Sequence, residues 1–320
     1  MEYAIALTFI TTAILGRFLI PVLKKLKFGQ IVRDDGPKSH LVKMGIPTMG
    51  GIMFIIPIII ISLIICKVNT DILIIVGTIL LFAFVGFLDD IIKIKRKSKD
   101  GLSVLQKTIG LLVVSVIFSV YFVYFSNGGS DIILPFSNMN HIYTIPKLLY
   151  VFILIITLYA TTNSINLTDG VDGLASSVTA IVILFLSIIS FITNSNSTIS
   201  VIGVSTIGGI MAFLLYNGHP AKVFMGDTGA LALGSIVALM AIYLKIPWVI
   251  IIGGIIYVIE ALSVIIQVGY YKRTKKRVFK MAPIHHHFEL SGWNEKKVVT
   301  IFTIITVIAC IISYAILFSL

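Results

Sequence analysis

The chain has 320 residues, of which 58% are hydrophobic and only 12% are charged, with 25 lysines and arginines against 14 acidic residues. A soluble protein of this size could not bury so much apolar surface, and the apolar residues form continuous runs rather than the alternating pattern of a membrane β-barrel. The composition therefore excludes a soluble enzyme, a disordered chain and a disulfide scaffold. It predicts an all-α polytopic membrane protein with one integral membrane domain over residues 1–320.

A helix needs about 20 mostly apolar residues to cross a bilayer, and ten apolar runs approach that length. We place them at 3–23, 48–66, 71–88, 106–125, 147–162, 174–192, 199–216, 230–245, 247–269 and 298–319. Basic residues are sorted between alternate loops, and 21 of the 25 lie on one side. Because basic loops remain cytoplasmic, both termini are predicted on the extracytoplasmic side.

The acidic residues are sorted in the same way. Ten of the fourteen fall on the predicted cytoplasmic side: Asp34, Asp35, Asp89, Asp90, Asp100, Asp169, Asp172, Asp227, Glu289 and Glu295. Acidic residues contribute little to membrane orientation, so this gathering predicts a functional cleft on that face. The outer loop 126–146 carries no such chemistry and is typical of a short amphipathic hairpin or an interfacial segment.

Two of the polar motifs end predicted spans. Asp89 and Asp90 close the third span, where adjacent carboxylates are either a solvated helix end or a base, nucleophile or metal-associated pair. After the fifth span, polar residues recur every three positions and would share one face of a helix. These are Asn163, Asn166, Asp169 and Asp172. An Asp that caps the next helix would explain one of these four residues but not the regular spacing of all four.

Two further motifs begin predicted spans. The stretch from Phe224 to Gly229 precedes the eighth span, where backbone N–H groups favour phosphate and Asp227 offers a hard oxygen to Mg²⁺. The alternative is that Asp227 merely caps the helix. Basic residues, including Lys38, His40 and Lys43, lead to Pro47, Thr48, Gly50 and Gly51 before the second span. This segment is either part of the site or a basic loop before a closely packed helix.

The remaining candidates lie near the C-terminal end. His285, His286 and His287 are consecutive, so they cannot easily all ligate one zinc ion, and phosphate or sugar contacts suit them better. Glu260 lies within the ninth span, where a carboxylate is a functional candidate or a neutral group bonded to a neighbouring helix. Cys66 and Cys310 belong to no metal or redox pattern and are interpreted as apolar filler.

With these motifs in one chain, the sequence resembles the polyprenyl-phosphate N-acetylhexosamine-1-phosphate transferases. The resemblance rests on Leu-Asp89-Asp90, on the motif from Asn166 to Gly173, and on the motif around Asp227. The His segment, from Met281 to Leu290, points to the muramoyl-pentapeptide branch.

That branch implies a ten-helix fold with a cytoplasmic cleft in the bacterial plasma membrane. It implies Mg²⁺-dependent transfer of phospho-MurNAc-pentapeptide from UDP-MurNAc-pentapeptide to undecaprenyl phosphate, giving the lipid-linked diphosphate and UMP. The implied partners are these substrates, the lipid bilayer and a second copy of the chain in a homodimer, and no nucleic acid is expected.

The resemblance also implies roles for individual residues. Asp227 resembles the Mg²⁺ ligand, and Asp89 resembles the residue held either to deprotonate the lipid phosphate or to attack the diphosphate; we favour the base. Asp90 is expected to position Asp89 or Lys93, and His286 is placed with these catalytic residues. The expected substrate-binding residues are Lys43, Thr48, Lys93, Lys107, Asn163, Asn166, Asp169, Asp172, Phe224, His285 and His287.

Two other functions compete with this one. A relative that uses UDP-N-acetylglucosamine would carry the same superfamily motifs. A secondary transporter could also have ten spans and a buried Glu260, but transporters place their sites at the midplane between inverted repeats. Here the carboxylates gather at one face, which favours an enzyme.

Overall fold

The structure is a computed structural model that describes residues 2–26, 43, 45–98, 100–126, 128–137, 139, 141–194 and 197–318. Within these ranges the chain is almost entirely helical. The helices are α1 (Glu2–Lys25), α2 (Ile52–Cys66), α3 (Thr70–Arg96), α4 (Val104–Tyr124), α5 (Lys147–Thr168), α6 (Leu174–Ile192), α7 (Ser197–Asn217), α8 (Gly226–Tyr243), α9 (Val249–Gly253), α10 (Ile255–Thr274), α11 (Ile284–Glu289) and α12 (Glu295–Phe318). Two short strands, β1 (Asp131–Ile132) and β2 (Tyr143–Thr144), pair in antiparallel fashion.

Nine helices in the described part of the chain are long and apolar enough to cross a membrane. The sequence predicted ten spans, and the difference is α2, which has 15 residues. At about 1.5 Å per residue such a helix is roughly 22 Å long, short of the roughly 30 Å hydrocarbon core. The protein is therefore a polytopic all-α membrane protein in which the second apolar run forms a shorter helix than expected.

The predicted ninth span, 247–269, is not one continuous helix. The chain breaks at Gly254, which separates the short α9 from α10 and adopts φ −97° and ψ 28°. Other spans are longer than predicted: α3 continues to Arg96 and α5 to Thr168. These extensions matter for the site because they place Asp89, Asp90, Asn163 and Asn166 on regular helices.

Helix α8 forms the centre of the bundle and packs most extensively against α3 and α5. Its side chains from Ala230 to Ile242 are almost completely buried. The approach of α3 requires glycine at position 86, because a Cβ there would overlap the Asp227 carbonyl group. Gly51 and Gly229 allow a similar approach at the start of α2. Small residues thus bring polar helix ends into contact, as in many membrane bundles.

In the loop between α4 and α5, β1 and β2 pair in antiparallel fashion, which supports the hairpin among the two predicted alternatives, a hairpin or an interfacial segment. Its strand pairing is reinforced by Asp131, whose carboxylate accepts hydrogen bonds from Lys245 Nζ at 2.7 Å and Thr144 Oγ1 at 2.8 Å. These bonds lower the pKa of Asp131, and the Lys245 bond has the larger effect. Trp248 Nε1 donates to the Ile133 carbonyl at 2.6 Å and so ties the hairpin to the start of α9.

Candidate active site

The Asp90 carboxylate binds the N-terminus of α8. It accepts hydrogen bonds from the backbone N–H of Asp227 at 3.1 Å and of Thr228 at 3.0 Å, and from the Thr228 hydroxyl at 2.7 Å. The first N–H groups of a helix have no partner within the helix, and they carry partial positive charge that favours an anion. Asp90, which is 2% exposed, therefore fixes the helix that carries Asp227. The geometry links Asp90 to Asp227, whereas the sequence suggested Asp89 or Lys93.

Asp89 lies beside it on α3 and faces a different set of groups. Its Oδ1 accepts a hydrogen bond from the Leu102 N–H at 2.8 Å, and its Oδ2 lies 2.5 Å from Lys93 Nζ, one helical turn away. A Cβ at Gly101 would overlap the carboxylate, so the loop before α4 approaches it closely. Asp89 is 3% exposed, yet it lines the cavity described below.

Side chains from three helices, α3, α4 and α5, converge on Asp227 in the first turn of α8. Its Oδ2 accepts from Lys107 Nζ at 2.6 Å and Lys93 Nζ at 3.2 Å, and its Oδ1 accepts from Asn166 Nδ2 at 3.0 Å. Lys107 also donates to Asn166 Oδ1 at 2.8 Å. The predicted residues Lys93, Lys107, Asn166 and Asp227 are thus brought together by α3, α4, α5 and α8.

The three carboxylates fit a hard divalent cation. Asp89, Asp90 and Asp227 each present an oxygen atom, and these atoms lie within 4.8 Å of one another. Oxygen ligands of this kind are the ones that Mg²⁺ prefers. The three carboxylates and the ammonium groups of Lys93 and Lys107 sum to a formal charge of −1, which leaves room for added positive charge.

A cavity of about 730 Å³ opens beside this cluster. Charged and polar groups from α3, α4 and α5 line it, including Asp89, Lys93, Arg96, Lys107 and Asn163. Asn163 donates from Nδ2 to the Tyr159 carbonyl of its own helix at 2.8 Å, which fixes the orientation of its amide. The cavity is large enough for a charged substrate group and presents both an acidic and a basic wall.

A second cluster surrounds Lys43. Its Nζ donates to Asp172 Oδ1 and to Glu295 Oε2, each at 2.6 Å, and all three residues are largely buried. Asp172 Oδ2 also accepts from the Ala221 N–H at 2.9 Å, and His219 Nδ1 lies 3.3 Å from the same oxygen. The arrangement brings Lys43 and Asp172, two of the predicted substrate-binding residues, into contact. The ammonium group lies between the two carboxylates, where a metal ion would otherwise bridge them.

The segment before α2 lies against the segment before α8. The Phe224 N–H donates to the Pro47 carbonyl at 2.9 Å, and the Gly50 N–H donates to the Phe224 carbonyl at 2.8 Å. Gly226, at φ 71°, leaves space for Thr48, because a Cβ at Gly226 would lie 2.8 Å from Thr48 Oγ1. Thr48 and Phe224 are therefore neighbours, both partly exposed. Lys38 and His40, like Asp34 and Asp35, lie outside the described residues.

Asp169 follows the last residue of α5, between the two clusters. Burial raises its pKa well above the ordinary value, and the negative charges of Asp227, Asp90 and Asp172 raise it further. A carboxyl group in such surroundings resists ionisation. A strongly perturbed acid within a cleft is a candidate functional residue, in line with its predicted place in the substrate pocket.

The three histidines lie on or beside α11, each with its own partner. His285 is fully buried and its Nδ1 lies 3.0 Å from Glu260 Oε2. His286 Nδ1 lies 2.8 Å from Glu289 Oε2, and His287 Nδ1 accepts from the Lys280 N–H at 3.1 Å. Their substrate contacts stay predictions.

Sequence reasoning missed several partners. Glu295 was counted only among the cytoplasmic acids, although it binds Lys43 across 252 positions. His219 received no role, and Asn217 was overlooked, although its buried side chain accepts from Ser176 and donates to the Val223 carbonyl. The polar stretch Asn217-Gly-His219-Pro between two apolar runs was the available signal.

Comparison with known proteins agrees with this geometry. The model of the glycosyl transferase family 4 matches residues 72–245. A phospho-N-acetylmuramoyl-pentapeptide-transferase of Acetivibrio thermocellus is 48% identical over 98% of this chain and 94% of its own length. Proteins of the same name from Clostridium botulinum (Eklund 17B) and Clostridium perfringens (strain 13) are 50% and 48% identical over 97% and 98% of this chain, and over 94% and 97% of their own lengths. The chain therefore belongs to glycosyl transferase family 4 and, within it, to the phospho-N-acetylmuramoyl-pentapeptide-transferases.

Proposed function

We propose that this chain transfers phospho-MurNAc-pentapeptide from UDP-MurNAc-pentapeptide to undecaprenyl phosphate, and that it releases UMP. The observation that carries the proposal is the convergence of Asp89, Asp90 and Asp227 with Lys93 and Lys107 beside a polar cavity. It occurs in a bacterial membrane protein nearly half identical to transferases of that name. One diphosphate bond is broken and one is made, so the reaction needs no separate energy source.

The proposed orientation places this cluster at the cytoplasmic face and both termini outside. The basic residues of the loops support it, because Lys93, Lys95 and Arg96 end α3 while Lys272 and Arg273 end α10. In this arrangement α2 is the tenth membrane helix, and its shortness is made up by the segment from Gly45 to Gly51. A homodimer is part of the proposal through the family resemblance.

Asp89 is proposed to act on the acceptor. It lines the cavity, and its Oδ2 forms an ion pair with Lys93. As a base it takes a proton from the acceptor phosphate, and an oxygen of that phosphate attacks the sugar-linked phosphorus of the donor. The bond from that phosphorus to UMP breaks, and UMP leaves with the bridging oxygen. Lys93 and Lys107 offset the negative charge gathered there.

Magnesium is proposed as the cofactor, with Asp227 as its main protein ligand. Asp89 and Asp90 are close enough to contribute oxygens. When bound, the ion would supply positive charge to the diphosphate oxygens. Because Lys93 and Lys107 both contact Asp227 Oδ2, these side chains must share that oxygen with the ion or move from it.

The donor nucleotide is proposed to occupy the region between the two clusters. Lys43 and Asp172 form a buried ion pair there, and Phe224 offers a partly exposed ring on which a uracil base can stack. The raised pKa of Asp169 favours its uncharged form, which suits a phosphate-bearing ligand. Thr48, Asn163, Asn166, His285, His286 and His287 complete the proposed set.

The acceptor chain is proposed to lie in an apolar groove. A cavity of about 330 Å³ runs between α5, α9 and α10, and Ile153, Ile156, Ile251 and Val258 are among its lining residues. The groove and the polar cavity share α5, because Ser164 lines the groove and the adjacent residue Asn163 lines the cavity. A lipid phosphate with its tail in the groove can therefore direct its head towards Asp89.

A donor-specificity assay tests this function. Purified protein in detergent, with undecaprenyl phosphate, should release UMP from UDP-MurNAc-pentapeptide only when Mg²⁺ is present. Turnover with UDP-N-acetylglucosamine alone would contradict the substrate assignment and support the rival transferase. Formation of a lipid-linked product without any sealed compartment excludes a transporter.

A further inference from the structure

A fully buried acid–histidine pair lies away from the reacting carboxylates. Glu260 is on α10 and His285 on α11, both with 0% exposure, and Oε2 lies 3.0 Å from Nδ1. Within the part of the chain that the structure describes, no hydrogen bond of good geometry reaches either oxygen of Glu260 or either ring nitrogen of His285. A buried charge is costly unless it is paired. The contact between the two side chains therefore offsets the cost of burying them.

The other side of the His285 ring lies against the loop between α5 and α6. A Cβ at Gly170 would overlap Nε2 of His285, so the ring is packed directly on the backbone of that loop. Gly170 lies between Asp169 and Val171, and Asp172 follows. The position of His285 thus sets the position of a backbone segment with a proposed donor-pocket carboxylate on either side.

Glu260 can control that position in two ways. The close contact between its Oε2 and His285 Nδ1 orients the imidazole ring, as carboxylates do for functional histidines. It also anchors α11 to α10, two elements separated by an exposed basic loop. Since His285 has no exposed surface, it acts on a ligand through the residues it contacts, and Gly170 is the one that belongs to the donor-pocket loop.

We propose that Glu260 is a positioning residue for the donor nucleotide: it holds His285 beneath Gly170, and so holds Asp169 and Asp172 in the donor pocket. This inference rests on the proposed donor pocket. If the pair only stabilised the bundle, its loss would lower thermal stability, and any kinetic loss would affect both substrates equally. The two roles therefore differ in which kinetic constant changes.

The test compares Glu260→Gln, Glu260→Ala and Glu260→Asp in detergent-purified protein. Glu260→Gln and Glu260→Ala should raise the KM for UDP-MurNAc-pentapeptide roughly tenfold, the usual scale for loss of an orienting partner, and leave the KM for undecaprenyl phosphate unchanged. Glu260→Asp keeps the charge and should recover part of the loss. Ser263→Ala is the matched control, because Ser263 is buried on the same helix and donates only to the Glu260 carbonyl.

Thermal unfolding and Asp172→Asn are measured in parallel. An unchanged donor KM in a folded Glu260→Gln variant overturns the inference, and so does an equal rise in both KM values or a failure of every position-260 variant to fold. If Asp172→Asn also leaves the donor KM unchanged, the proposed donor pocket itself is wrong and the inference fails with it. A donor-specific rise in both the Asp172 and the Glu260 variants, with thermal stability retained, supports the proposal.

Discussion

Replacing Asp90 with alanine removes the acceptor for three donors at the start of α8, the two N–H groups of Asp227 and Thr228 and the Thr228 hydroxyl. Hydrogen bonds to a charged group contribute about 1.5–3 kcal/mol each. The substitution also removes the cost of burying the carboxylate, which offsets part of this loss. We therefore expect Asp90→Ala to lower the free energy of unfolding by about 3 kcal/mol. Activity should fall as well, because Asp227 is no longer held.

Asp89→Ala is the matched comparison, since Asp89 is equally buried but, among the described residues, accepts one backbone hydrogen bond, from Leu102. It should lower stability by about 1 kcal/mol and abolish turnover. Unfolding in detergent, followed by tryptophan fluorescence, gives the stability, and UMP release gives the activity. Equal stability losses in the two variants, or a wild-type unfolding curve for Asp90→Ala, would refute the assignment of Asp90 to the helix terminus.

Three further outcomes follow from the geometry. Gly86→Ala should separate α3 from α8 and lower both stability and activity, whereas Gly77→Ala, which meets open space on the same helix, should change thermal stability by no more than about 1 kcal/mol. Asp227→Asn should abolish UMP release and alter the Mg²⁺ titration; a normal Mg²⁺ dependence would count against the ligand role. For Asp169, a raised pKa means that the ionised form destabilises the fold at neutral pH. Asp169→Asn should therefore raise the melting temperature at pH 8, and the gain should vanish as the pH falls towards the ordinary value of 3.8; a gain that grows in acid would contradict this sign.

The helical bundle was largely predictable, because lipid forces the backbone to satisfy its own hydrogen bonds and so fixes long apolar runs as helices. The structure differs from the predicted spans where an apolar run continues through a break in the helical backbone. Gly253 and Gly254 interrupt the predicted ninth span without any polar residue. At α2 the apolar run from Thr48 includes four residues that form an irregular, turn-containing segment before the helix begins.

The members of the site were predictable, but their partners were not. Asp89, Asp90 and Asp227 were expected together because the ends of their spans face the same side. Nothing in the sequence indicates that Asp90 binds a backbone 137 positions away, or that Glu295 binds Lys43. Such pairs depend on which helices are neighbours in the bundle, and close approaches at glycines such as Gly86 are part of what makes them neighbours.

The apolar groove between α5, α9 and α10 has a consequence for how the enzyme meets its acceptor. On the proposed assignment the acceptor arrives by lateral diffusion within the membrane, so its effective concentration is a mole fraction of the lipid phase, whereas the nucleotide sugar is dissolved in water. At a fixed amount of acceptor, added detergent or lipid should then slow turnover by surface dilution and leave the dependence on the nucleotide unchanged. Rates measured in different micelles are comparable only when the acceptor concentration is given as a mole fraction of the detergent and lipid.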